Sequence, residues 1–320
     1  MNFQQLRIVR ETIRRDFNLT DVAAALYTSQ PGVSKHIKDL EDELGIEIFV
    51  RRGKRLLGLT PAGRELAEVV ERILVDSQNL KRIADQFASR DQGHMLIATT
   101  HTQARYALPD VIKSFKCSFP RVHLALHQGS PREIATMVVS GEADFAIATE
   151  GLDNISEIVS FPCYSWHHAV IVPVGHPLAQ LEKLTVEALA EYPIITYQEG
   201  FTGRYQIDAA FSAAGLSPDI VLSAIDADVI KTYVEVGLGI GIIASMAFNP
   251  GRDHGLRLLD TSHIFERSVT KVGVRRGHYL RDFSYRFLEA LTPELKEATV
   301  RAALSKGSPQ PSSFTTDFYP

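Results

Sequence analysis

A chain of 320 residues, 45% hydrophobic and 22% charged, has room for two or three domains and the composition of an ordinary globular protein. No apolar run reaches the ~18 residues of a membrane span, and the charged N-terminus lacks a secretory core, so a cytoplasmic protein is expected. Cys117 and Cys163 have no His or Cys partner at ligand spacing, which argues against a disulfide framework, a metal site or a tightly held cofactor. The net charge of -4 hides an asymmetry: residues 1–60 carry ten Lys+Arg against eight Asp+Glu, whereas residues 91–320 carry nineteen against twenty-five. A basic head on an acidic body suits a nucleic-acid reader joined to a separate sensing part.

In chain order, Phe3, Leu6, Val9, Ile13 and Phe17 recur at helical spacing and predict an amphipathic first helix. Thr20 is placed to cap a short second helix, Asp21–Tyr27, whose Ala23, Ala24 and Ala25 permit close crossing by another helix. Ser29 caps a third helix with Pro31 in its first turn, Val33, Ile37, Leu40 and Leu44 inward, and Gly45 as a left-handed end. The opposite face presents Gln30, Ser34, Lys35 and Lys38, groups able to address base edges or phosphates. Alone, such a stripe is equally a solvated helix face. The next residues favour a reader: Arg51, Arg52, Gly53, Lys54 and Arg55 sit between two short apolar runs, as the tip of a wing on DNA would. The expected DNA-facing set is therefore Ser29, Gln30, Pro31, Ser34, Lys35, Lys38, Arg51, Arg52, Lys54 and Arg55.

Thr60 and Pro61 open a long helix. Leu66, Ile73, Leu80 and Phe87 stand seven apart, with Val69, Val70 and Ile83 on a second line, a seam suited to pairing with a copy of itself. Packing against the chain's own sensor is the alternative. From Gly93 the pattern alternates short strands and helices, the signature of α/β layers. Strands are expected at 94–99, 122–127, 143–148, 169–174, 193–197, 221–224, 239–244 and 270–275, and helices at 104–119, 131–140, 228–236 and 279–291. Three polar stretches stand at strand-to-helix junctions: Thr99–Gln103, Thr149–Glu150 and Gly200–Arg204. Strand ends and helix N-termini of this kind suit a small anion, although any single threonine there is also an ordinary cap.

The residues Tyr27–Lys35, Leu40–Gly45, Phe49, Arg51 and Leu59–Gly63 resemble the signature of LysR-type transcriptional regulators, with Gly32 where most members carry Ala or Ser. Thr99–Pro109, His127–Pro131, Ala143–Glu150, Phe201–Arg204 and Asp226–Val234 look like the CysB-like branch of that family, which governs sulfur assimilation and cysteine biosynthesis. The resemblance implies an N-terminal all-α winged helix-turn-helix (1–60), a linker helix (61–90), and an α/β sensor of two subdomains resembling periplasmic binding proteins. The subdomains would be 91–163 plus 266–295, and 164–265, with a variable tail at 296–320. It also implies an activator that is a homotetramer (a dimer of dimers) on double-stranded promoter DNA, with RNA polymerase as partner. Acetylserine, sulfate or thiosulfate would be the effector, held by Thr100, Thr102, Gln103, Thr149 and Thr202. A paralogue serving sulfonate or taurine genes fits the same motifs.

Two rivals come from other classes. A solute-binding protein explains 91–295 but not the head or the missing export signal. An enzyme would have to use Asp144, His127 or the pair His167–His168, and no metal spacing or nucleophile elbow accompanies them, so no catalytic residue is expected.

Overall fold

The computed structural model describes residues 1–53, 55–88, 91–153, 155–305 and 316–317; Lys54 and most of the expected tail lie outside that set. The chain divides into two units, Met1–Ala84 and Asp85–Pro320.

The first unit begins with α1 (Phe3–Arg14), closed at its start by a reciprocal cap between Asn2 and Gln5. Leu6, Ile8 and Val9 are buried, while Phe3, expected inward, is half exposed. The next helix, α2 (Leu19–Ala25), is capped by Asn18 and not by Thr20. Positive φ at Asp16 and Phe17 reverses the chain, so Asn18 is the extended residue whose side chain accepts from the Thr20 amide. As expected, α3 (Gln30–Leu44) is capped by Ser29 and ends at a left-handed Gly45. Val33, Ile37 and Leu40 enter the core; Leu44, on the final turn, is left partly exposed.

A hairpin follows, β1 (Phe49–Arg52) paired antiparallel with β2 (Arg55–Leu59). The nearly buried Glu41 of α3 fastens its base: Oε1 accepts from the Ile48 and Phe49 amides at 2.8 and 3.2 Å, and Oε2 holds the Arg51 guanidinium at 2.6 Å. Thr60 Oγ1 accepts from the Gly63 amide and so opens α4 (Pro61–Ala88). Gly63 is required there, because a Cβ would lie 2.0 Å from the Ile48 carbonyl oxygen. The expected seven-residue seam is divided. Leu66 and Ile73 pack into the head's own core beside Val70 and Leu74, whereas Leu80 and Phe87 are 69% and 76% exposed. Since α4 starts against Ile48, its first turns are spent on the head.

The second unit runs β3 (Gln92–Thr99), a π-helical turn (Gln103–Ala107), α5 (Leu108–Ser118), β4 (Arg121–Gln128), α6 (Pro131–Ser140), β5 (Phe145–Ala148), β6 (Ile158–Trp166), β7 (His168–Pro173), α7 (Val186–Ala190) and β8 (Ile194–Tyr197). It continues through α8 (Arg204–Ala213), β9 (Ile220–Ala224), α9 (Ala227–Glu235), β10 (Ile240–Ala244), β11 (Leu256–Asp260), β12 (Ser268–Arg275), α10 (Asp282–Leu291), α11 (Glu297–Ser305) and β13 (Thr316–Asp317). One sheet has the order β13-β6-β12-β5-β3-β4 and the other β11-β7-β10-β8-β9. Each makes a lobe with its own core, Phe115, Phe145, Phe161 and Phe287 in the first and Ile194, Ile207, Phe211 and Ile242 in the second.

The chain passes between lobes twice, at His167 and across 261–267. The crossings are tied together where Thr261 Oγ1 donates to the His168 carbonyl at 2.9 Å. Two expectations need correction. The first sheet's strand β6 continues to Trp166, three residues past the assumed boundary at 163. Residues 297–305, assigned to a variable tail, form a helix whose Val300 and Leu304 are buried in the first lobe's core.

Candidate DNA-reading face and effector site

On α3, Ser29, Gln30, Pro31, Lys35 and Lys38 are exposed and Ser34 is half-buried. Gln30 Nε2 donates to Ser34 Oγ at 3.2 Å, which orders two adjacent polar groups on one face. In the wing, Arg52 stands opposite Arg55 and both are exposed, with Gly53 at φ 63° making the turn. Arg51 differs from its neighbours, since its guanidinium is engaged by Glu41. Tyr27, read from sequence as the end of the second helix, instead stands 98% exposed at φ 51° in the turn before α3. Nothing in its immediate sequence marks that placement.

In the sensor, local chemistry positions the polar residues at the ends of strands. β3 ends at Thr99, and the following turn adopts π-helical geometry, with the Leu108 amide bonded to the Gln103 carbonyl. A π turn inserts an extra residue and is common at functional sites. Thr100, Thr102 and Gln103 are all buried here. The loop after β8 turns through Gly200 and Gly203 at positive φ. Between them Thr202, a β-branched residue, also sits at φ 46°, a strained conformation costing roughly 1–3 kcal/mol that only the surrounding contacts can hold.

These elements meet across the lobes. Thr102 Oγ1 and Thr202 Oγ1 are 3.4 Å apart across the lobes, and within the first lobe Thr149 Oγ1 lies 3.4 Å from Thr270 Oγ1. Four of the five expected effector residues are buried and Thr149 is half-buried. Tyr164 donates its hydroxyl to Gln103 Oε1, which leaves the amide nitrogen of Gln103 shielded from solvent with no partner among the described residues. Trp166 Nε1 donates to Thr270 Oγ1 at 3.0 Å.

Sequence reasoning named Glu150 and Gly203 only within polar stretches and His168 only as a rejected acid–base candidate, and assigned none of them to the effector set. His168 is fully buried, packs edge-on against Trp166, and points Nε2 at the Thr202 carbonyl 3.0 Å away. Burial lowers its pKa to about 4, so the ring is neutral at pH 7. A carbonyl only accepts, so Nε2 carries the proton and Nδ1 is a bare acceptor. Glu150 accepts from the Gly203 amide across the cleft, and Gly203 itself has no room for a side chain, since a Cβ would lie 2.6 Å from Ser268 Oγ. The only sequence signals were Glu150 following Thr149 and the paired glycines around Thr202.

A second contact joins the lobes beside this one. Tyr106 of the π turn donates to Asp228 Oδ1 of α9 at 2.7 Å, and Arg105 reaches Asp228 Oδ2 at 2.5 Å. Lys231 lies 3.2 Å from Asp228 and 3.1 Å from Asp253. His101, Asp226 and Asp228 offer ligand atoms within 4.8 Å of one another. Arg105 and Lys231 already occupy Asp228, however, and Asp226 caps α9, so the chain's own cations hold that position.

A winged helix-turn-helix followed by a two-lobed α/β domain with a polar cleft is the build of an effector-responsive transcription factor. Residues 3–64 match the family model for the bacterial regulatory helix-turn-helix protein of the lysR family, and residues 88–296 match that for the LysR substrate binding domain. The HTH-type transcriptional regulator SsuR of Burkholderia cenocepacia is 62% identical over 304 residues, covering 95% of this chain and 99% of that protein. CysB of the same organism is 55% identical, covering 95% and 97%. The crystal structure of the cofactor-binding domain of the Cbl transcriptional regulator superposes with a TM-score of 0.65 at 49% identity, covering 67% of this chain and 95% of that one. The chain belongs to the LysR family of transcriptional regulators, and its relatives are DNA-binding regulators and not enzymes. Among the described residues no helix is long and apolar enough to cross a membrane.

Proposed function

We propose that this regulator controls genes of sulfur assimilation and cysteine biosynthesis from the cytoplasm, and that a small anion bound between its lobes sets its activity. Acetylserine, sulfate and thiosulfate are the effectors in view. The observation that carries the reading is the meeting of Thr102 and Thr202 across the cleft, 3.4 Å apart, with Thr100 and Gln103 buried on either side of Thr102 in the chain. Hydroxyl and amide donors hold an anion without the strength of a permanent charge pair, as a reversible sensor needs. Identity to the SsuR and CysB regulators supports the sulfur assignment, and the higher identity to SsuR favours a second reading, genes for sulfonate or taurine use.

An anion that bridges donors from both lobes binds the closed cleft better than an open one. It shifts the population toward closure by that difference in affinity alone. The exposed Leu80 and Phe87 of α4 offer an apolar face for a second copy. A dimer would set two heads on half-sites about one DNA turn, or a multiple of it, apart, and a dimer of dimers would let closure alter DNA bending and contact with RNA polymerase. The test is Thr102→Ala in footprinting on sulfur-gene promoters with acetylserine and with sulfate. Effector response should fall at least tenfold while binding without effector persists. An unchanged response in that variant refutes the site.

A further inference from the structure

We propose that Glu150 is a further ligand-facing residue of this cleft, and that a tetrahedral oxyanion binds there only together with a proton on the Glu150 carboxyl group. The inference rests on the threonine-lined cleft being the anion site. Its own basis is geometric. Glu150 reaches from the end of β5 to the loop after β8, where one carboxylate oxygen accepts from the Gly203 amide. The other oxygen is closed off from solvent and has no hydrogen-bond partner among the described residues. Gly203 directly follows Thr202, whose hydroxyl faces Thr102. The unsatisfied acidic oxygen thus belongs to a side chain that is anchored on the residue next to Thr202 and whose own residue follows Thr149 directly in the chain.

Two anions cannot lie side by side away from water without strong repulsion. Protonation removes the charge and turns the same oxygen into a donor that joins the threonine hydroxyls. The proton is within reach near neutrality, because burial raises the Glu150 pKa to about 7 against the opposing pull of the Gly203 and Thr202 amides. A ligand carrying an N–H donor would instead bond to the ionised oxygen with no proton taken up, so the same residue sorts ligands by charge.

Other titratable groups surround Glu150. His168 on β7, with a pKa of about 4, stays neutral over the relevant range. Tyr205 on α8 is raised by burial and further by Glu150, Glu266 and Asp153. Arg132 of α6, Glu157 and Glu199 line a cavity of about 700 Å³ that Glu150 also borders, with Pro131, Ala135 and Phe201 as apolar wall. Glu150→Gln removes one titration and leaves all of these in place.

The sequence contains a single tryptophan, and Trp166 touches both Thr270 and His168, so its fluorescence reports on the site. The full-length protein is titrated with sodium sulfate from pH 6 to 9, with calorimetry at pH 8 in two buffers of different ionisation enthalpy. Wild-type affinity should weaken by up to about tenfold per pH unit above pH 7, with close to one proton taken up at pH 8. Glu150→Gln should bind with a flat profile, no proton uptake, and higher affinity than wild type at pH 8.5. Glu150→Asp should keep the slope. A flat wild-type profile without proton uptake, or an unchanged slope in Glu150→Gln, overturns the role of Glu150 and leaves the anion site standing. Absence of sulfate binding at every pH in every protein overturns both. If Glu150→Gln fails to fold, absence of proton uptake by the wild type is enough by itself to overturn the role of Glu150.

Discussion

In the head, half of the candidate DNA contacts come from one helix of fifteen residues, and Gln30, Ser34, Lys35 and Lys38 share a face through helical periodicity alone. In the sensor, Thr102, Glu150, Trp166, Thr202 and Ser268 converge only after the chain has passed between two sheets and back. A DNA-reading helix needs a rigid, preformed face. A site that is to respond to a ligand gains from drawing its groups from two lobes, as the candidate site here does. Local construction gives the first property and long-range construction the second.

The comparison breaks first at Gly63, where even the head depends on a distant contact. A Cβ there would strike the Ile48 carbonyl oxygen, a backbone atom that cannot move without dragging the wing and the start of α4. Gly63→Ala should destabilise the head by roughly 3 kcal/mol, the upper range for overpacking. Thermal unfolding followed by far-UV circular dichroism should show an early transition, while Trp166 fluorescence, which sits in the sensor, melts as in wild type. Coincident loss of both signals would mean that head and sensor unfold as one.

The same division explains what was legible in the sequence. Ser29, Gly45, Thr60 and the whole of α6 were readable, because a cap and its helix lie within a few residues of each other. Thr20 misled because the reversal at Asp16 and Phe17 carries no glycine to announce it. β6 was taken for a connection. It is almost wholly buried, lacks a clean alternation, and carries Pro162 beside a register shift opposite Thr270 and Lys271. The threonines of the candidate site were singled out through family motifs, whereas His168, Trp166 and Ser268 reach that cluster through strand pairing, which a single sequence does not display.

A smaller effect sharpens the contrast within the sensor. Tyr106→Phe keeps the ring against Lys231 but removes the hydroxyl that holds Asp228 across the cleft. Asp228 is partly exposed and keeps Arg105 and Lys231, so losing this hydrogen bond should weaken the closed state by only about 1 kcal/mol. If a bound anion selects closure as proposed, sulfate affinity read from Trp166 fluorescence should fall about fivefold, although Tyr106 is outside the threonine cluster. Unchanged affinity would show that the lobes stay closed regardless of this contact.

The smallest effect separates two adjacent arginines in the wing. Arg51 is bound by Glu41, which also holds the Ile48 and Phe49 amides, so its charge is spent within the head. Arg52 is exposed, opposite Arg55, and pairs with no acid among the described residues. Arg52→Ala should therefore leave the melting temperature unchanged and lower the slope of log affinity against log salt by about 1 for each wing that contacts phosphate. Arg51→Ala should do the reverse, lowering stability by roughly 0.5 kcal/mol because Glu41 loses a partly exposed counter-charge but keeps two amide donors, with little change in salt slope. Binding titrations on promoter DNA between 50 and 200 mM salt (roughly the range over which phosphate contacts are resolved) distinguish the two. Equal salt slopes in both variants would return Arg51 to the DNA-facing set, and would mean that Glu41 releases it when the wing meets the duplex.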